Sequence, residues 1–593
     1  MKRFFISFLG ALAGIWVSLF LLSIGVVLVI AAIGTSTVMG EKSNVKISRH
    51  SYLNLKLNGE ITERPGNLDP LAAIRGDHSA TLGLNEIVGA IREAASDDKI
   101  DGIVIECDGS AAGLAQRQAI REALQHFKKS APDKWVYAYG DIYIQGDYYI
   151  ASVADSIFLN PIGQVYISGL SSTNLYFKGL LDKLGIDMQV VKVGTYKSAV
   201  EPFTLTSMSQ PAREQMSQLL DDMWQPIALS ISEARHVSPD SVAAWAKEGS
   251  FAFAPADYVS RGIVDRLVYR HEFDEILAKA IGCDSTDDLN PVSVPYYCKS
   301  RDIDRYGKGN DATIGVLYAV GDITDETGDG IVASRLVPQI LDLAEDDDLD
   351  GLVMVVNSGG GSANASEQIW EALQQWKKIT GKPFYVSMSD YAASGGYYIS
   401  CGADRIYAQP TTLTGSIGIF GLIPDFHGLM ADKLGVTTST VTTVDGVQFP
   451  NTLQPMTPAQ RAAMQTYVNR GYELFTSRCA EGRHISQDSI KAIAEGRVWS
   501  GDRALSLGLV DEIGGLDKAI KGMASEIGAK NWTVVSYPAP RKWYDELIEL
   551  SEDFKNSVVS RQLGSLAPLY EASRQVTVMA PVQARMDFVT IDL

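Results

Sequence analysis

A chain of 593 residues is too long for one hydrophobic core and predicts two or more domains. With 46% hydrophobic and 21% charged residues, its composition is that of a folded protein and excludes widespread disorder. A formal net charge of −19 argues against a nucleic-acid binder, which would present a basic face.

The first element is apolar. Phe4 to Gly34 holds no charged residue, and Lys2 and Arg3 precede it. The run exceeds the roughly 20 residues a helix needs to cross a membrane. It is also longer than the apolar region of a cleaved signal peptide, about 7–15 residues. The expectation is one transmembrane helix over 4–34, with residues 1–3 cytoplasmic and the bulk of the chain outside, in a periplasm or extracellular space. The five cysteines fit no zinc spacing, and neither a metal nor a cofactor is expected. Cys283 and Cys298 are near enough in sequence to pair in an oxidising compartment.

Beyond the anchor the chain repeats itself. Lys99–Leu124, "KIDGIVIECDGSAAGLAQRQAIREAL", matches Asp348–Leu373, "DLDGLVMVVNSGGGSANASEQIWEAL". "GDIYIQGDYYIASVADSIFLNP" from Gly140 matches "SDYAASGGYYISCGADRIYAQP" from Ser389 at the same spacing, so Asp141 falls on Asp390 and Pro161 on Pro410. Each copy alternates short apolar runs, turns and amphipathic stretches, the pattern of an α/β domain with crossovers on a parallel sheet. The predicted organisation is two tandem domains, 46–270 and 312–540, with 271–311 connecting them and 541–593 as a C-terminal extension. Within that extension, Lys542–Leu563 reads as an amphipathic helix suited to a subunit contact.

The copies differ where chemistry would be expected. The second has the turn Asn357-Ser358-Gly359-Gly360-Gly361-Ser362; the first has Asp108-Gly109-Ser110-Ala111-Ala112-Gly113. Consecutive glycines let backbone amides approach a ligand, and two such amides can hold the oxygen of a tetrahedral intermediate. Ser394, followed by two glycines, falls on Gln145. A serine there sits at a helix entrance, where the Gly395 amide is a further candidate oxyanion donor. Such a nucleophile needs a base. Two of the seven histidines, His236 and His484, occupy equivalent places in the repeat, which favours a structural role, and there is no G-x-S-x-G elbow. Lys192 and Lys197 in "MQVVKVGTYKSAVEPFT" fall on Thr442 and Val447, in a stretch where the second copy has no lysine. The nucleophile candidate lies in one half and the base candidate in the other. That distribution suggests one site built from both, although the lysine alone could equally be a surface charge.

The motifs "VNSGGGSANASE", "SDYAASGGYYIS", "TLTGSIGI", "KVGTYKSAVEPF" and "GRVWSGDRALSLGLVDEIGGL" together resemble the signal peptide peptidase A family in its long, duplicated, membrane-anchored form. The resemblance runs from the anchor to about residue 540. It implies a serine endopeptidase with a Ser/Lys dyad on a Clp protease/crotonase-like fold. By the same resemblance Ser394 corresponds to the nucleophile and Lys197 to the general base, Ser416 orients the lysine, and Gly361 and Gly395 are the oxyanion donors. One departure is Gly359, where the family often has proline. The resemblance further implies a homotetramer on the periplasmic face of a bacterial inner membrane, acting on remnant signal peptides. Two other readings are a crotonase-like acyl-CoA enzyme and a non-catalytic membrane scaffold. For the protease reading, an effective lysine base requires a pKa lowered by about 3 units from its free value. Burial among residues such as Val190, Val191 and Ala199 would act in that direction, provided Glu201 does not face the amine.

Overall fold

The computed structural model describes residues 47–65, 81–301, 303, 309, 311–328, 330–444, 449–538, 582–586 and 591–592. The apolar run 4–34 and the expected helix 542–563 lie outside the described residues. Among the described residues, no helix is long and apolar enough to cross a membrane.

Each half is built on its own largely parallel sheet. In the first, Ser51–Thr62, Ile100–Ala111, Trp135–Tyr143 and Ser156–Val165 lie side by side. In the second, Ala312–Val320, Gly351–Ser358 and Phe384–Ala393 repeat the first three of those strands in the same order, and Arg405–Ala408 and Leu413–Gly415 both pair with Phe384–Ala393. The uninterrupted apolar run "GLVMVV" follows from burial on both faces. Leu352, Met354 and Val356 share a core with Ile369, Leu373 and Trp376 of the helix Ala363–Thr380, while Val353 and Val355 meet Ile520 and Met523 on the opposite face. That helix starts on Ser362, whose hydroxyl accepts from the Ala365 amide, and ends at Gly381 in the left-handed conformation.

Within 271–311, the stretch expected to connect the copies, part of the chain joins the first sheet. Its strand Asn290–Ser293 pairs in parallel with Ser51–Asn54, the place that Trp532–Tyr537 takes beside Ala312–Leu317 in the second half. The repeat is therefore longer than the sequence identity suggests. Cys283 and Cys298 are not joined by a disulfide, and the Cys298 thiol donates to the Glu86 carbonyl (3.5 Å). His236 and His484 are the left-handed C-caps of two 26-residue helices, Gln210–Arg235 and Pro458–Arg483, a shared structural role.

A third, small sheet joins the halves and was not foreseen. Its strands run in the order Ile331–Val332, Ile323–Thr324, Gly360–Ser362, Val582–Arg585, Phe420–Asp425 and Asp187–Lys192. The last belongs to the first half and pairs antiparallel with Phe420–Asp425 of the second.

Candidate active site

Ser394 is the pivot between the strand Phe384–Ala393 and the helix Gly395–Ser400, with φ 56° and ψ −113°. A side-chain-bearing residue in that region is strained by about 1–3 kcal/mol and persists only where its surroundings enforce it. Here the Ser394 amide donates to the Gly415 carbonyl (2.8 Å), and the Ser394 carbonyl accepts from the Tyr398 amide (2.8 Å). The turn is a sharp strand-to-helix elbow, without the G-x-S-x-G sequence that often marks one.

Lys197 arrives from the other half. After the strand Asp187–Lys192, the chain passes between residues 418–419 and 495–496: the Val193 amide donates to Ile419, and the Tyr196 amide to Glu495. Gly496 makes this passage possible. It has φ 76°, and a methyl group on it would lie 2.6 Å from Lys197 Cβ. Lys197 is fully buried, and its Nζ lies 2.8 Å from Ser394 Oγ, 3.0 Å from Ser416 Oγ and 3.2 Å from the Ser416 carbonyl oxygen. Ser416, also at positive φ (49°), is fixed through its amide on the Arg497 carbonyl. Glu201 is engaged elsewhere, accepting from the amide and hydroxyl of Ser209.

The glycine turn lies against the serine elbow. Gly360 has φ 100°, and a methyl group there would sit 2.6 Å from the Gly395 amide nitrogen and collide with the Ala584 carbonyl oxygen. Only glycine allows that approach. The structure thus brings Ser394, Lys197, Ser416, Gly361 and Gly395 into one neighbourhood.

Sequence reasoning missed the layer behind the turn. Glu63, from the first half, accepts hydrogen bonds from Ser389 (2.6 Å), Gln116 (2.9 Å) and Asn357 (2.9 Å), the last being the residue that opens the glycine turn. Asp390 accepts from the amides of Ala115 and Gln116 at the start of the helix Leu114–Ser130. Burial, with the Glu63 carboxylate next in effect, raises the Asp390 pKa to about 7. Burial also raises that of Glu63. The repeat offered little warning, because Asp141 aligns with Asp390 yet is exposed, accepting from Asn160.

The first copy's equivalent place is filled. Gln145 accepts from the amides of Ser168 and Gly169 and donates to the Gly169 carbonyl. Beside it, Arg117 and Asp147 form a buried ion pair (2.7 Å), with Arg117 also donating to the Ser110 and Ala112 carbonyls.

A model of peptidase family S49 matches residues 128–283 and 377–530, one segment in each half. Protease 4 of Haemophilus influenzae is 34% identical over 583 residues, covering 94% of this chain and 93% of that protein. Protease 4 of Salmonella typhi is 34% identical, covering 93% of this chain and 90% of its own length. The chloroplastic serine protease SPPA of Arabidopsis thaliana is 26% identical over 91% of this chain and 78% of its own. With the family's signature in both halves and relatives of this identity along nearly the whole length, the chain belongs to peptidase family S49, and it is a serine-type protease.

Proposed function

We propose that Ser394 and Lys197 form the catalytic dyad, with the base supplied by the first half and the nucleophile by the second. The observation that carries this reading is the 2.8 Å approach of the buried Lys197 amine to the Ser394 hydroxyl. Burial penalises the charged ammonium, the form in which a lysine cannot accept a proton. Neutral Lys197 takes the Ser394 proton as Oγ attacks the scissile carbonyl, and the resulting ammonium protonates the leaving amine. The acyl-enzyme is then hydrolysed by a water that the same lysine activates. Ser416 holds the amine in place. The Gly361 and Gly395 amides stabilise the oxyanion, a contribution of about a hundredfold or more in rate.

The substrates in this reading are apolar peptides, remnant signal peptides among them, consistent with the Enterococcus faecium relative described as a putative signal peptide peptidase, 31% identical over 229 residues. The apolar run from Phe4 to Gly34 then serves as a membrane anchor that keeps the enzyme beside such peptides, with both domains on the periplasmic side and chains assembling as tetramers. The test is hydrolysis of a quenched apolar peptide by wild type, Ser394→Ala and Lys197→Ala from pH 6 to 10. Both variants should lose about a thousandfold or more in kcat without unfolding. Near-normal turnover by Lys197→Ala would remove the lysine from the mechanism.

A further inference from the structure

We propose that Glu63 is a positioning residue for peptide hydrolysis: reaching over from the first half, it fixes the strand before Ser394 and the glycine turn relative to each other. The inference rests on the proposed roles of Ser394, Gly361 and Gly395. It starts from an irregularity in the second sheet. Strands Gly351–Ser358 and Phe384–Ala393 run in parallel register as far as Val356 opposite Met388, and the next opposed pair is Ser358 with Ala392. Three residues, Ser389, Asp390 and Tyr391, therefore stand against Asn357 alone. Such a bulge bends its strand and re-aims what comes after it. Here Ser394 comes after the bulge, and the glycine turn comes after Asn357.

Each bulged residue is tied down, two of them directly to the first half. The Ser389 hydroxyl donates to Glu63 Oε1 (2.6 Å), and Asp390 accepts from the amides of Ala115 (2.8 Å) and Gln116 (3.4 Å). The Tyr391 amide donates to Asn357 Oδ1 (3.1 Å). Asn357 Nδ2 in turn donates to Glu63 Oε1 (2.9 Å), as does Gln116 Nε2 (2.9 Å). One oxygen of a buried carboxyl thus takes three donors: one from the bulge, one from the residue opening the turn, and one from the first half's own helix Leu114–Ser130. Gln116 is itself held, because its Oε1 accepts from the Gly113 amide (3.0 Å). Gly113 lets the two halves close here, since a methyl group on it would lie 2.1 Å from the Asp390 carboxyl carbon. Beyond Asn357, the Gly360 amide donates to Ser358 Oγ (3.1 Å), which carries the constraint into the turn. The first half therefore contributes a second thing besides Lys197, the spacing between nucleophile and oxyanion donors.

Misplacing a reacting group by about 1 Å costs about a hundredfold in rate. The test compares full-length Glu63→Leu, Glu63→Gln and Asn357→Ala with wild type and Ser394→Ala. Glutamine keeps an acceptor oxygen for the three donors, whereas leucine removes it and keeps the bulk. Asn357→Ala cuts the link to the turn and leaves Glu63 in place. Each chain is assayed for KM and kcat on the quenched peptide and for inhibition by a peptide aldehyde of the same sequence. The Ser394 oxygen adds to the aldehyde carbon, its proton passes to Lys197, and the former carbonyl oxygen becomes an oxyanion facing the turn. Glu63→Leu and Asn357→Ala should each lower kcat and aldehyde affinity by about thirty- to a hundredfold, with KM within about threefold of wild type. Glu63→Gln should stay within about threefold in all three quantities. Asn357→Ala decides the matter should Glu63→Leu not fold. A folded Asn357→Ala chain with wild-type kcat and aldehyde affinity, beside an inactive Ser394→Ala, would overturn the positioning role alone. So would a Glu63→Gln chain as impaired as Glu63→Leu, because the charge and not the shared oxygen would then matter. If Ser394→Ala still hydrolyses the peptide and binds the aldehyde, the dyad falls, and the positioning role with it.

Discussion

Ser394 and Ser416 stand out at the residue scale because both adopt positive φ without being glycine. Ser416 touches Lys197 through its hydroxyl and its carbonyl, so the side chain can be removed while one contact remains. A hydrogen bond to a charged partner is worth about 1.5–3 kcal/mol. Ser416→Ala should therefore lower kcat by about ten- to a hundredfold, leave KM within about twofold and displace the ascending limb of the pH–rate profile, along which Lys197 loses its proton. An equal effect on stability and activity, with an unshifted profile, would reduce Ser416 to a structural residue. Gly496 shows why part of the site was illegible: it lies in a quoted motif, but nothing local reveals that Lys197 passes against it.

The paired elements carry the next layer of control. The helix Leu114–Ser130 directs its first amides at Asp390, while Glu63 ties the strand before Ser394 to the residue opening the glycine turn. The Asp390 pKa is raised to about 7 in the folded chain, above its ordinary carboxylate value. Between those two values the folded state binds the extra proton. The contribution of Asp390 to stability is thus full below the unfolded value and is lost as pH rises through about 7. Asp390→Asn, which cannot ionise, should melt progressively higher than wild type between pH 5 and pH 8. A constant difference across that range would mean that Asp390 does not hold the proton. These elements also mark what sequence could supply. The repeat, the apolar strands and Ser394 stood out because two copies of one framework expose their differences, whereas the repeat left Lys192 and Lys197 both open and only the family resemblance singled out Lys197. The third sheet was not legible, since its short strands have no periodicity and its pairings join residues hundreds of positions apart.

For the whole molecule, duplication has produced specialisation. Both halves keep the buried tyrosine behind the elbow, Tyr148 on the Ile263 carbonyl and Tyr397 on that of Leu509, yet only one holds a serine. Lys197 and Ser394 meet within one chain, so mixing Ser394→Ala with Lys197→Ala chains should restore no activity, even after joint refolding. Recovery towards a quarter of the wild-type rate, or more, would show that the two side chains meet across a subunit boundary. The filled pocket of the first half also bears on the history of the molecule. A single change of Gln145 to serine would strip the Ser168 and Gly169 amides of their acceptor and would still lack a lysine. Clearing Arg117 or Asp147 alone would strand a buried charge, at about 3–5 kcal/mol. If the proposed dyad is the one working site, each of these single steps toward a second one crosses a less stable protein, so the division of labour between the halves behaves as a ratchet.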